Sequence, residues 1–113
     1  MNPHWEYEEA FIAWRLERRQ AIQKLPLTDH AKQRMDERRV TPQHVYYALT
    51  HGRIFEGYGP HEYPRGPEPY QNPDEVRSMR CVMNNGRVLV IAIALQITKT
   101  KARYSILTVY WTE

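Results

Sequence analysis

The sequence predicts an α+β domain, with N-terminal helices packed on one face of a mainly antiparallel sheet of three to four strands. Three observations carry this. Apolar residues recur at helical spacing up to Gly52. Beyond it the pattern turns to β-branched and aromatic runs. Asn85-Gly86, set between two such runs, is a strong short hairpin signal.

Each element has its own justification. Residues 4–25 read as an amphipathic helix with Tyr7, Phe11, Trp14, Ala21, Ile22 and Leu25 on one stripe. Glu8, Glu9, Glu17 and Arg19 form the other face, and Pro26 ends the helix. The stripe covers the protein's own core, a dimer mate or an inhibitor protein. Thr28 is a good N-cap for a second helix running to about Arg39, with Asp29 suiting the dipole of its first turn. Thr41 caps a third helix with Pro42 at its first position; Val45, Ala48 and Leu49 share a face, and Gly52 ends it.

Arg53–Tyr58 is a short strand. From Gly57 to Glu75 runs a loop holding five of the eight prolines. A loop this long in a small domain is usually functional or mobile. Its tyrosines, Tyr58, Tyr63 and Tyr70, either stack on bases or pin the loop to the body. Arg77–Asn84 and Arg87–Leu95 flank the hairpin turn. Val88 to Leu95 is apolar on both faces and therefore reads as a central strand. Arg103–Trp111 is the last strand. Residues 1–26 thus form a helical extension and residues 27–113 the α+β domain.

Composition narrows the function. The 113 residues suffice for one domain with one core. No apolar run reaches the ~18 residues of a membrane span, and no secretory signal opens the chain. A single cysteine, Cys81, excludes an internal disulfide framework or a multi-cysteine zinc site and fits a reducing, cytoplasmic compartment. Net charge is only +3, but residues 76–112 carry six bases (Arg77, Arg80, Arg87, Lys99, Lys101 and Arg103) and no acid. Such a stretch points to an anionic partner, nucleic acid first, or to a basic surface balanced by acids elsewhere in space.

The candidate chemistry lies on the second helix. His30, Arg34 and Arg38 are spaced four apart and stack along one side. The apolar direction is set by Leu27, Ala31 and Met35; Arg38 points almost into it and Arg34 lies about 60° away. Guanidinium groups facing a packed surface need partners. Either they bridge to an acid such as Glu56 or Asp74, or they form a phosphate site at the seam of helix and sheet. A histidine one turn away adds a group that moves protons near neutral pH.

Cleavage of RNA by its own 2′-hydroxyl needs a base, an acid and cations around the phosphorane, with no metal or cofactor. His30 suits the base or the acid. Arg34 and Arg38 suit the scissile phosphate. Thr108 and Tyr110, on one face of the last strand, are placed to orient the phosphate or donate a proton. The five histidines give no zinc spacing, no glycine-rich phosphate loop precedes a helix, and Cys81 reads as an inert buried thiol.

The run Leu27-Thr28-Asp29-His30-Ala31-Lys32-Gln33-Arg34-Met35-Asp36-Glu37-Arg38-Arg39-Val40-Thr41-Pro42, with Val45, Ala48-Leu49, Gly52-Arg53-Ile54 and the closing Leu107-Thr108-Val109-Tyr110, resembles a small bacterial domain family of unassigned function. Its pattern is a His-Ala-x-x-Arg-Met-x-x-Arg helix, a short helix ending in Gly, a hairpin and a Thr-Val-Tyr strand. The resemblance covers about residues 27–111. That family is placed with the RelE/ParE-like and colicin-type ribonuclease toxins, the barnase–EndoU–colicin–RelE class. The resemblance implies a metal-independent endoribonuclease without cofactor, acting on RNA and paired with an antitoxin or immunity protein. It also implies functional roles for His30, Arg34, Arg38, Thr108 and Tyr110.

The expectation is therefore a toxin-like endoribonuclease, with the RNA backbone near Arg80, Arg87, Lys99 and Arg103. The alternatives are a non-catalytic nucleic-acid-binding module on the same basic face, or an interaction protein that docks through its N-terminal helix.

Overall fold

The computed structural model describes residues 4–19, 25–66, 68–97 and 102–112. The elements are α1 (His4–Arg19), α2 (Asp29–Arg38), α3 (Pro42–His51), β1 (Arg53–Tyr58), β2 (Glu75–Val82), β3 (Val88–Ile97) and β4 (Ala102–Thr112). The four strands form one antiparallel sheet in the order β1-β2-β3-β4. The fold is α+β, helices before sheet, as the sequence predicts. Lys99, Ala21 and Ile22 lie outside the described residues. Among the described residues no helix is long and apolar enough to cross a membrane.

The caps form as expected. Thr28 Oγ1 accepts from the Ala31 N–H at 3.1 Å. Thr41 and His44 complete a reciprocal capping box at the start of α3. The last turn of α2 closes on Arg39, which takes the left-handed conformation at φ 55°.

One face of the sheet builds the core with all three helices. Leu89, Ile91, Ile93 and Leu95 of β3 pack with Ile12, Leu16, Ala31, Met35, Val45 and Leu49. On the opposite face Ala92 and Val76 lie under Tyr63 of the proline-rich loop, with Tyr58 and Leu107 packed against them. β3 is therefore buried on both faces, which explains its unbroken apolar run.

The azimuth of α1 corrects the sequence reading. Tyr7 is 78% exposed and Trp14 48%, whereas Ile12 and Leu16 are buried. Of the predicted stripe, Phe11 packs against the core and Leu25 is buried, but Trp5, Glu8, Glu9, Ile12 and Leu16 share the inward face in place of Tyr7 and Trp14. The two glutamates turn inward because the sheet supplies cations. Glu8 pairs with Arg77 of β2 at 2.9 Å, and Glu9 pairs with Arg53 at 2.9 Å. Glu9 also accepts from the Ile54 N–H at 3.0 Å. A helical wheel cannot reveal these tertiary partners.

The hairpin turn differs in detail. The Gly86 N–H bonds to the Met83 carbonyl at 2.9 Å, so Asn84-Asn85 are the central residues. Gly86 follows at φ 81°, the left-handed position after the turn. β4 carries a bulge: Ile106 pairs with Ile93 and Thr108 with Ala92, so Leu107 is the extra residue. The bulge keeps both Ile106 and Val109 on the core face while Thr108 and Tyr110 share the other.

β4 is an edge strand, and the outer backbone groups of Ile106 are satisfied by the segment leading into α2. Thr28 N–H donates to the Ile106 carbonyl at 3.1 Å, and the Ile106 N–H donates to the Pro26 carbonyl at 2.8 Å. Thr28 Oγ1 donates to the same Ile106 carbonyl at 2.8 Å. Trp111 Nε1 donates to the Arg38 carbonyl at 2.9 Å. This stitching covers part of the exposed edge, leaves the rest open and fixes α2 along β4.

Candidate functional site

Because α2 lies along β4, one side of the helix faces the end of that strand. His30, Arg34 and Arg38 meet Thr108 and Tyr110 around a pocket of about 250 Å³, completed by Arg65 and Gly66 of the proline-rich loop. All five residues singled out on α2 and β4 thus line one cavity. No carboxylate is in its lining.

The guanidinium partners differ from the first of the two expectations. Neither Glu56 nor Asp74 holds Arg34 or Arg38. Arg34 pairs within its own helix, with Glu37 at 2.5 Å. Arg38 is exposed overall, and its Nη1 donates to the Val109 carbonyl at 2.5 Å. The cause is the open edge of β4, whose unpaired carbonyl draws the guanidinium sideways, away from the apolar stripe. Glu56 instead accepts from the Tyr58 hydroxyl, which pushes the Tyr58 phenol up to about 12.

Arg65 is the pocket residue that sequence reasoning missed. Its Nη1 donates to Tyr110 Oη at 2.6 Å, and its guanidinium lies 5.4 Å from the centre of the Tyr110 ring. As acceptor, the Tyr110 hydroxyl keeps its own proton to give. Arg65 is the sole Arg or Lys between Gly57 and Glu75, and Pro64 and Gly66 flank it. A lone cation in a long proline-rich loop was the available signal.

The loop is anchored well enough to place it. Tyr63 is buried and meets Tyr58 edge-on at 5.3 Å. Burial pushes its phenol up to about 12. Backbone bonds join Tyr70 N to the Tyr63 carbonyl and His61 N to the Asn72 carbonyl, both at 2.8 Å. Gly66 has φ 95°, a conformation other residues rarely adopt, so the turn beside Arg65 requires glycine.

His30 is half-buried beside these cations. Burial lowers its pKa below the usual 6.5, and Arg34 and Arg38 lower it further, against a smaller opposing effect of Glu37. The imidazole is therefore neutral at pH 7 and able to accept a proton.

Two further arginines border the pocket through Tyr110. Arg80 stacks on Phe55, 5.0 Å from the ring centre, in a groove of about 930 Å³ that also reaches Tyr110 and Arg65. Arg87 stacks on Trp111 at 4.5 Å and shares a cleft with Arg38 and Tyr110. Among the described residues, Arg38, Arg65, Arg80 and Arg87 have no carboxylate within 4.0 Å in an ion pair. Arg103, opposite Gln96, stands apart at the far end of β4. Arg77, counted with the basic stretch, is committed to Glu8. His44 serves as a cap and meets Trp111 edge-on. Cys81 is buried, which pushes its thiol up. Among the described residues no three of His, Cys, Asp or Glu converge in a way that could hold a metal ion.

Comparison with known proteins adds the family. No curated protein and no solved structure is found to match the chain. Residues 27–111 match the model of a domain of unknown function, DUF4258, so α1 precedes the matched region although it shares the core. The chain belongs to the DUF4258 family.

Proposed function

We propose that this protein is a metal-independent endoribonuclease that cleaves RNA through attack of the 2′-hydroxyl. One observation carries the reading. His30 faces three arginines and two hydroxyls across a pocket with no carboxylate in its lining. A phosphodiester is the small anion that such a set accommodates.

In this reading His30 takes the 2′-proton. The 2′-oxygen attacks phosphorus, and the bond to the 5′-oxygen breaks. The products are a 2′,3′-cyclic phosphate and a free 5′-hydroxyl. Arg34, Arg38 and Arg65 stabilise the charge that builds on the phosphorane oxygens. Tyr110 gives its proton to the leaving oxygen and recovers one from solvent, while His30 returns its proton to solvent. Thr108 orients a non-bridging oxygen. The RNA backbone runs over the open sheet face past Arg80 and Arg87; Arg103 adds charge further along.

The order of helices before a four-stranded antiparallel meander supports placing the family with the RelE/ParE-like and colicin-type ribonuclease toxins. An antitoxin or immunity protein is then the protein partner we propose, and the cytoplasm the compartment.

The test is incubation with total RNA in EDTA, read on a denaturing gel, with His30→Ala and Arg65→Ala beside the wild type. Discrete fragments from the wild type alone are expected. Intact RNA in every lane, with salt-sensitive binding retained, replaces this reading with a non-catalytic binding module.

A further inference from the structure

A second cavity, of about 350 Å³, lies under the proline-rich loop on the other side of His30 and Arg65. It shares three residues with the phosphate pocket: His30, Arg65 and Gly66. Its volume is at the lower end of the roughly 300–1,000 Å³ of small-molecule sites.

The lining differs in kind from that of its neighbour. Tyr63, Ala94 and Leu107 supply apolar wall, and Gln71, Asn72 and Ser105 supply amide and hydroxyl groups. Two carboxylates, Glu68 and Asp74, are also present. A phosphate placed between them would be repelled. A flat, uncharged ring with polar edges suits apolar walls and scattered hydrogen-bonding groups. Asn72 Oδ1 already accepts from the Asp74 N–H at 2.9 Å, so the Asn72 side chain is held in place with its amide N–H groups available to a ligand.

We propose that this cavity is a nucleobase subsite, which takes the base attached to the phosphate held by Arg34, Arg38 and Arg65. The inference rests on the ribonuclease reading and gives it a specificity. Carboxylates accept hydrogen bonds and donate none when ionised. They favour a base with an exocyclic amino group, as in adenine, cytosine or guanine. Uracil presents two carbonyls around a single N–H, and those carbonyls oppose Glu68 and Asp74. The proline-rich loop thereby supplies both a cation for the phosphate and the wall that reads the base.

Calorimetry in EDTA with inorganic phosphate and the four nucleoside 3′-monophosphates tests this, because binding is read without cleavage. The adenine, cytosine and guanine nucleotides should bind about tenfold tighter than the uracil nucleotide. Asp74→Asn should narrow that gap. Ser105→Phe, which fills the cavity, should reduce every nucleotide to the affinity of inorganic phosphate. Equal affinity of all four nucleotides and phosphate in the wild type overturns the subsite while leaving the phosphate pocket in place. Retention of base preference in Ser105→Phe also overturns it. RNA cleavage on the gel then decides the ribonuclease reading separately: nucleotide preference without cleavage supports the subsite and removes the enzyme.

Discussion

Thr28 joins the fold to the site, and its replacement by alanine tests that joint. Its hydroxyl caps α2 by accepting from Ala31 N–H and tethers the helix by donating to the Ile106 carbonyl. Loss of an N-cap costs typically about 1 kcal/mol. The hydrogen bond to Ile106 contributes about another 1 kcal/mol, although the Thr28 N–H still serves that carbonyl. The sum is about 2 kcal/mol, or roughly 8 °C in Tm for a chain of this length. Thr28→Ser keeps the hydroxyl and should stay within about 0.5 kcal/mol of the wild type. Urea unfolding followed by circular dichroism measures both, with an unchanged m-value as the check on comparability. His30 is two residues further on, so under the proposed ribonuclease reading RNA cleavage should fall with the cap. A Thr28→Ala protein as stable as the wild type would refute the reasoning, as would a Thr28→Ser variant that loses as much as Thr28→Ala.

Other outcomes follow from the same geometry. Ile12→Ala should cost roughly 2–5 kcal/mol while Tyr7→Ser stays within about 0.5 kcal/mol, because Ile12 and not Tyr7 faces the core; the reverse order would restore the stripe read from the sequence. Glu8→Gln should destabilise by about 2–4 kcal/mol, since Arg77 is only 13% exposed and loses its closest carboxylate, and denaturation at high salt should leave most of that difference in place. The His30 pKa read by NMR should lie below 6.5 and rise in Arg34→Gln; a value at or above 6.5 in the wild type contradicts the site electrostatics. With the folded pKa lowered, the unfolded chain binds the His30 proton more readily, so stability falls as pH drops from 6.5 through the folded value, and His30→Gln should remove that part of the dependence.

Much of this was legible in order and spacing. Thr28 and Thr41 announced their helices because capping is a contact within one turn. The apolar run from Val88 to Leu95 announced a strand buried on both faces. His30, Arg34 and Arg38 had to share a side of α2, and Thr108 and Tyr110 a side of β4, because helical and strand periods are fixed by the backbone.

Tertiary structure decided the rest. The inward face of α1 depended on Arg53 and Arg77, which lie over 40 residues away in sequence from Glu9 and Glu8. The guanidinium of Arg38 turned to Val109 because β4 is an edge strand, a fact set by sheet order and not by the helix. Arg65 reached Tyr110 only because Tyr63 pins the loop against β2 and β3, and no local period governs where a loop returns. Local sequence thus determined which groups travel together on each element. The bulge at Leu107, the open edge of β4 and the closure of the proline-rich loop determined which groups meet.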